Sequence, residues 1–435
     1  MKFCTMTLGC KVNQFETQAM ESLLISHGNT PLRLGEGCDV CIVNTCAVTS
    51  ESERKSRQAV RRVRKLEPDA LIAVCGCLSQ MAASEMKQLG ADFIGGTGDR
   101  QGFVSEIERM AAGQRTVPCL TDDPAQRSVI EDLPPGGGRT RTRALLKIQD
   151  GCSNYCSYCI VPYVRGSVRS LTLERAAALA SMLQEKGIRE IVVTGIEISS
   201  YGKDLKKTDT SAPSLIEAVR GICEAAPNAR VRLGSLDPGA LREEFLRELS
   251  MLGNLCPHFH LSLQSGCDDT LRRMGRKYST KDVLKAVETL RDLFPDCGIT
   301  ADLIVGFPGE TDKEFHQTLE FIKSAAFSDM HIFPYSPRPG TRAADMPEQI
   351  EKKVKQGRAG IAAAAAERMA LDFRAGQIGK TAEVLFERKR DGFWTGHTGN
   401  YLEVSVTEGG EKNSVRSVKI TDIKDRTLWG DIVAG

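Results

Sequence analysis

The chain has no apolar run near the ~18 residues that a membrane helix needs, so no membrane anchor is expected. It has almost no net charge: 58 Lys and Arg stand against 56 Asp and Glu, leaving +2. Bulk electrostatics therefore say nothing about nucleic acid, and any RNA surface must be a local patch. There is no bias toward disorder or collagen, because 41% hydrophobic and 26% charged residues are those of an ordinary globular protein. The first residues, Met1 to Lys11, hold neither a separate apolar h-region nor a small-residue cleavage site. A secretory signal is not expected, and a reducing, cytoplasmic setting is. Histidine is scarce, at six, and no internal repeat is visible. What the sequence has in excess is cysteine: 15, an odd number. In a reducing compartment these read as free thiols, metal ligands or redox groups, not as a disulfide frame.

With 435 residues, about three domains of ~150 residues each are the prior. In the first part, short apolar runs at 2–8, 40–44, 71–75 and 92–94 read as strands. Helical patterns at 13–27, 50–66, 79–89 and 99–112 alternate with them, which argues an α/β fold with a doubly wound parallel sheet. Pro134-Pro135-Gly136-Gly137-Gly138 reads as a linker. Beyond it, strands are expected at 144–148, 190–194, 230–233, 258–263, 299–305 and 330–335, with helices at 173–186, 214–225, 239–252, 280–293 and 312–324 between them. Six strands alternating with five helices fit a partial (β/α)6 barrel, whose chemistry would lie at the C-terminal strand ends. A helix at 348–374 follows. The last segment is rich in Gly, Thr and Val, with strands at 382–386 and 401–406 and turns at Asp391-Gly392 and Gly409-Gly410, the pattern of a small β-barrel. The expected domains are 1–133, 139–375 and 376–435.

Cys152-x3-Cys156-x2-Cys159 places three thiols on one short loop. Short spacers let such a loop curl round a [4Fe–4S] cube and leave one iron without a protein ligand, open to a substrate or cofactor. A zinc loop is the bland alternative, but zinc wants a fourth ligand and the histidines lie far away in sequence. A second set, Cys10, Cys46 and Cys77, is dispersed, yet each lies at or just past the end of an expected strand, and such ends meet at one crevice. Cys75 competes with Cys77, and spacing does not separate them. Cys38-x2-Cys41 has a ligand-pair spacing but straddles the start of a strand, so alternation should aim its thiols apart; it reads as core, as do Cys4 and Cys223.

The CxxxCxxC loop after the first barrel strand resembles the radical S-adenosylmethionine (SAM) enzymes, in which the open iron binds SAM. The later strand ends resemble them too: Thr194-Gly195-Ile196-Glu197 stands where that family holds the SAM amino group, Leu263-Gln264-Ser265 near the ribose, and Ile304-Val305-Gly306-Phe307-Pro308 with Phe333-Pro334-Tyr335 near the adenine. Within those enzymes, Leu8-Gly9-Cys10-Lys11-Val12-Asn13-Gln14, Asn44-Thr45-Cys46-Ala47-Val48-Thr49 and Gly76-Cys77-Leu78-Ser79-Gln80 resemble the three cysteine motifs of the methylthiotransferases. The Gly-Cys pair puts Cys77, not Cys75, at the ligand position. The similarity runs on through Cys159-Ile160-Val161-Pro162-Tyr163-Val164-Arg165-Gly166, Leu263-Gln264-Ser265-Gly266-Cys267-Asp268 and Tyr335-Ser336-Pro337-Arg338-Pro339-Gly340-Thr341, to a C-terminal segment placed like an RNA-binding TRAM domain. Gly-Cys-Lys-Val-Asn and Thr194-Gly195-Ile196-Glu197-Ile198-Ser199-Ser200-Tyr201-Gly202 are similar to the MtaB branch, which modifies N6-threonylcarbamoyladenosine just 3′ of the tRNA anticodon.

The resemblance implies two [4Fe–4S] clusters, on Cys152, Cys156 and Cys159 and on Cys10, Cys46 and Cys77, with SAM held by Gly195, Glu197 and Gln264. It implies SAM cleavage to methionine and a 5′-deoxyadenosyl radical at the first cluster, sulfur carried by the second, and outside sources of electrons and sulfur. The expected macromolecular partner is tRNA. Arg54, Arg57, Arg61 and Arg64 repeat on one helix face; Arg139, Arg141, Arg143 and Lys147 form a second basic run, and Arg272, Arg273, Arg276 and Lys277 a third. Arg388-Lys389-Arg390 with Phe393-Trp394 offers charge and stacking rings for RNA, and Arg165 and Arg338 are expected at substrate anions, or else in structural ion pairs. The alternatives are N6-isopentenyladenosine in tRNA, an aspartate of a ribosomal protein, or a non-catalytic iron–sulfur electron carrier.

Overall fold

The computed structural model describes residues 1–114, 117, 119–136, 142–207 and 212–433. Its first sheet is built from β1 (Lys2–Thr7), β2 (Thr30–Pro31), β3 (Val40–Thr45), β4 (Leu71–Gly76), β5 (Phe93–Gly95) and β6 (Cys119–Leu120), in the order β2-β1-β3-β4-β5-β6. Every pairing is parallel. The helices are α1 (Lys11–Ser26), α2 (Ser50–Leu66), α3 (Cys77–Met81), α4 (Ala83–Gln88) and α5 (Arg100–Ala111). Strand alternation sends Phe3, Val40, Ile42, Ala73 and Phe93 to a core with Leu24 of α1 and Phe103 of α5. It sends Cys4, Cys41, Val43, Ile72 and Val74 to the other face, against Val60 and Val63 of α2 and Met86 of α4. The sheet is doubly wound, as its sequence pattern predicts. The helix expected at 79–89 is instead two, broken at Ala82, and the two-residue strands β2 and β6 carry too little pattern to be read from sequence. In this strand order the chain reverses direction across the sheet between β1 and β3, which opens a crevice at their C-terminal ends.

The second unit is an arc of parallel strands: β7 (Arg143–Lys147), β10 (Glu190–Thr194), β11 (Arg230–Leu233) continued by β12 (Ser235–Leu236), β13 (His258–Gln264), β14 (Gly298–Val305) and β15 (Asp329–Pro334). A two-stranded flap, β8 (Gln149–Asp150) and β9 (Arg169–Ser170), covers the end of β7. Around the arc run α6 (Val161–Arg165), α7 (Leu173–Glu185), α8 (Leu215–Ala225), α9 (Glu243–Ser250), α10 (Asp268–Met274), α11 (Thr280–Leu293), α12 (Asp312–Ala325) and α13 (Lys352–Ala375). The helix expected at 239–252 begins late, because Pro238–Ala240 forms a separate 3₁₀ turn capped by Asp237. Gly137 and Gly138 of the linker lie outside the described residues, as do Arg139 and Arg141 of the second basic run. No described helix is long and apolar enough to cross a membrane.

The third unit is a closed five-stranded barrel of β16 (Thr381–Arg390), β17 (Phe393–Thr398), β18 (Glu403–Val406), β19 (Val415–Lys424) and β20 (Thr427–Ile432) around Val384, Phe386, Val404, Val418 and Leu428. It docks on the N-terminal ends of the arc's strands. Arg232 donates to the Gly399 carbonyl at 2.8 Å and lies over the Tyr401 ring, while Arg143 pairs with Glu387 at 2.9 Å.

The first unit closes the open side of the arc from both edges. At the β15 edge, Ser336 bonds Ser50 of α2 at 2.8 Å, and Arg338 pairs with Glu53 at 2.5 Å. At the β7 edge, Glu16 of α1 is buried among Arg165, Lys147 and Arg100, at 2.7, 3.3 and 3.0 Å. Burial pushes the Glu16 carboxyl up, and the three cations overcome it and hold it at about 2. Removing one member of a buried ion set strands the rest. Glu16→Gln should cost about 3 kcal/mol, read as a lower urea midpoint, whereas the same change at exposed Glu51 should leave that midpoint unchanged.

Candidate functional site

Cys10 caps α1, Cys46 follows β3, and Cys77 opens α3, so all three leave the C-terminal ends of adjacent strands β1, β3 and β4. Two glycines make the approach possible. A Cβ on Gly9 would lie 2.8 Å from the Cys46 sulfur; one on Gly76 would lie 2.4 Å from the Thr45 carbonyl, and both residues hold φ near +100°. Asn13 then ties the loops: its amide donates to the Leu8 carbonyl at 2.8 Å and the Thr45 carbonyl at 3.0 Å. Cys46 N–H donates to Ser56 at 3.1 Å. Burial pushes the Cys77 thiol up to about 12, with Cys46 and Cys10 adding to it and Arg165 opposing. Cys75, by contrast, belongs to the core between the sheet and α1 and α5, and no cysteine acts on it. Of the two, Cys77 shares surroundings with Cys10 and Cys46, and Cys75 does not.

The other three thiols line a cavity of about 300 Å³ at the C-terminal ends of the arc. Cys152 N–H donates to the Gly166 carbonyl at 3.0 Å, and Cys159 N–H to the Cys156 carbonyl at 3.0 Å, which curls the loop. Tyr155 takes φ +48° within it. Ser157 anchors the loop to α10 through the Met274 carbonyl at 2.9 Å. Burial raises the thiols of Cys152 and Cys159 to about 11 and about 12. Metal binding must therefore displace protons, which a soft cation does. Three thiols lining one cavity, with no fourth cysteine and no histidine in its wall among the described residues, fit a cluster with one open iron.

Glu197 and Gln264 share that cavity with Ile304, Phe333 and Tyr335. Glu197 N–H donates to Gln149 at 2.8 Å, and its carboxylate accepts from Asn154 at 3.3 Å and from Ser199 N–H at 3.1 Å. Burial, then Asp237, lift its carboxyl to about 7, against Arg276 and Ser199. Gln264 sits at φ +68°, where the pairing of β13 with β14 shifts register. Gly195 has a packing reason to be glycine: a Cβ would lie 2.7 Å from Gln149 Oε1. Val48 and Thr49, two and three residues past Cys46, form part of the same wall. The segment that leaves Cys46 thus reaches the cavity lined by the other three thiols.

Several charged residues stand elsewhere than the sequence suggests. Arg165 is fully buried, bonding Glu16, Asp150 and Asn13 and lowering the Cys77 pKa by its charge. Arg338 is buried against α2. Both take the structural option, not the substrate one. Arg276, counted within a surface run, lies in the cavity wall and donates to the Cys156 sulfur at 3.3 Å. Arg273 pairs bidentately with Glu314 at 2.9 Å. On α2, Arg54, Arg57 and Arg64 pair with Glu51, Glu85 and Asp92, leaving Arg61 as the exposed member without an ion pair among the described residues. Lys11 is accessible to solvent yet hemmed in by protein; burial lowers its pKa, Arg232 and Arg143 add to this, and Asp302 and Glu190 oppose. It has no ion pair among the described residues. Sequence reasoning passed over Lys11, Asn154, Asp237 and Glu16; position next to a ligand cysteine was the signal for the first.

Residues 146–322 match the Radical SAM superfamily, and residues 2–96 match Uncharacterized protein family UPF0004. The fold resembles that of the radical S-adenosylmethionine methyltransferase TsrM from Kitasatospora setae, with a TM-score of 0.59 at 14% identity over 91% of this chain and 80% of that one. Among curated proteins, the chain is 36% identical to the threonylcarbamoyladenosine tRNA methylthiotransferase MtaB of Thermotoga maritima, over 99% of this chain and 97% of that protein. It is 34% identical to the Bacillus subtilis protein of that name, over 96% and 93%. It is 32% identical to the tRNA-2-methylthio-N(6)-dimethylallyladenosine synthase of Caldicellulosiruptor saccharolyticus, over 98% and 91%. Identity at this level along whole chains, with a radical SAM match over the arc, makes this chain a member of the radical SAM methylthiotransferase family.

Proposed function

We propose that this protein adds a methylthio group to C2 of N6-threonylcarbamoyladenosine at position 37 of tRNA, in the cytoplasm. Its cofactors in this reading are SAM and two [4Fe–4S] clusters, one held by Cys152, Cys156 and Cys159 and one by Cys10, Cys46 and Cys77. The single observation that carries it is the full-length match to relatives of that name.

When bound, the clusters and SAM supply the electron, the radical and the sulfur that an unactivated C2–H requires. The chain supplies position and charge. Glu197, as a carboxylate above about pH 7, faces the cavity where an ammonium group of SAM would sit. Gln264 closes the adjoining strand end, and Phe333 and Tyr335 give an apolar wall for a base. Arg276 offsets negative charge at Cys156. Electrons and sulfur come from outside sources. RNA contact falls to exposed Arg61 and to the β16–β17 hairpin, where Arg388 and Arg390 are exposed and Phe393 packs edge-on against Trp429 at 4.7 Å.

Lys11 separates this reading from the isopentenyladenosine one. A threonylcarbamoyl group carries a carboxylate and an isopentenyl group does not. An unpaired ammonium beside Cys10, set among Arg232 and Arg143, suits the charged substrate. Lys11→Ala should raise KM for threonylcarbamoyladenosine tRNA about tenfold, the worth of one charge-assisted contact, while Lys11→Arg retains most activity. Equal KM in all three enzymes contradicts the assignment.

The two thiol sets should separate in reaction assays. Replacing Cys152, Cys156 and Cys159 by Ala should abolish SAM cleavage. Replacing Cys10, Cys46 and Cys77 should leave 5′-deoxyadenosine formation and stop sulfur insertion. If the second variant keeps its full iron content and activity, the two-cluster reading fails. An electron carrier would make no 5′-deoxyadenosine in the first place.

A further inference from the structure

A third group of thiols lies away from both cluster sets. Cys4 stands in β1, Cys41 in β3, and Cys38 in the turn that precedes β3. Their three sulfurs all lie within 4.8 Å of one another, and Cys4 Sγ lies 2.9 Å from Cys41 Sγ. All three side chains are buried. The spacing of Cys38 and Cys41 led to the expectation that they point apart, and the structure reverses it for a local reason. Cys38 is not yet in the strand, so alternation does not govern it.

The Glu67 carboxylate shapes that turn. It accepts from Gly35 N–H at 2.7 Å, Gly37 N–H at 3.1 Å and Cys38 N–H at 3.2 Å. Cys4 completes the set because it is the register partner of Cys41 on the neighbouring strand. Two separate stretches of chain, one with Cys4 and one with Cys38 and Cys41, therefore deliver three thiols to one point, in a core shared with apolar Val43, Ala59 and Val63.

We propose that Cys4, Cys38 and Cys41 bind a single thiophilic metal ion of the zinc(II) class, at a site distinct from both cluster sets. The spacing suits one ion. Metal–sulfur bonds of about 2.3 Å around a tetrahedral centre set sulfurs about 3.8 Å apart, within the observed spread. Neither cluster triad closes to that spread among the described residues. A soft, dry, all-sulfur set selects zinc or its neighbours over hard cations. Glu67 stands outside this set of mutually close ligand atoms and orients the turn from beside Cys38, so the fourth position is left to a solvent ligand. Cys4 lies three residues from the end of β1, roughly 10 Å at ~3.3 Å a residue, before the turn that carries Cys10. The ion would pin the 33–38 loop to β1 and β3 beneath the cluster crevice.

The test uses the full chain with its iron loaded, incubated with zinc ion and desalted. One zinc per chain is expected. Cys38→Ser and Cys41→Ala should each lower bound zinc at least tenfold while iron per chain and cluster absorbance stay unchanged. Zinc also should slow alkylation of Cys38 in the unaltered protein, a measurement that needs no variant. Equal zinc in all three chains overturns the proposal, and so does joint loss of zinc and iron. Unchanged Cys38 alkylation, or a Cys4–Cys41 disulfide found in place of zinc, overturns it as well.

Discussion

Arg165 is the contact on which the arrangement depends. Its guanidinium is wholly enclosed and bonds three partners at once, Glu16 and Asn13 from the first unit and Asp150 from the flap over β7, while its charge lowers the pKa of the Cys77 thiol. Burying a guanidinium is costly unless it meets acceptors, and here two carboxylates and an amide oxygen meet Nη1 and Nη2, while Nε has no hydrogen-bond partner among the described residues. The backbone beside it matters equally, since the Gly166 carbonyl receives Cys152 N–H. One short stretch therefore both ties the arc to α1 and holds the loop of Cys152. A lysine would keep the charge and lose the fork.

Function follows from how the three units close one another. A six-stranded arc leaves an open flank, and α1 and α2 fill it from its two edges through Glu16 and through Ser50 and Glu53. The C-terminal barrel covers the other end by way of Arg232 and Tyr401. What stays open is the cleft at the strand ends, lined by Cys152, Cys156 and Cys159 and by Val48 and Thr49, which follow Cys46. In the proposed reaction, a base delivered there would be enclosed by protein, which would keep water from the reactive species.

Much of this was legible in the chain. Strong period-two and helical patterns place Ser50–Leu66, Glu190–Thr194, Arg230–Leu233 and Thr280–Leu293 at the residues expected. Cys152, Cys156 and Cys159 announce themselves because their spacing is local. Tertiary partnership is what sequence conceals. Arg165 and Arg338 look like anion binders until their acids, 149 and 285 residues away, are seen. The arginine stripe of α2 looks basic until Glu85 and Asp92 cover two of its members. Cys38 and Cys41 look divergent until Glu67 bends the turn. In each case the deciding group lies far along the chain, beyond the reach of spacing.

The substrate is tested most directly in the cell. Deleting the gene and resolving tRNA nucleosides by mass spectrometry should remove 2-methylthio-N6-threonylcarbamoyladenosine, with its unmethylthiolated precursor accumulating in its place. The same 2-methylthio-N6-threonylcarbamoyladenosine level in deleted and intact cells, with another methylthiolated nucleoside lost instead, contradicts the assignment.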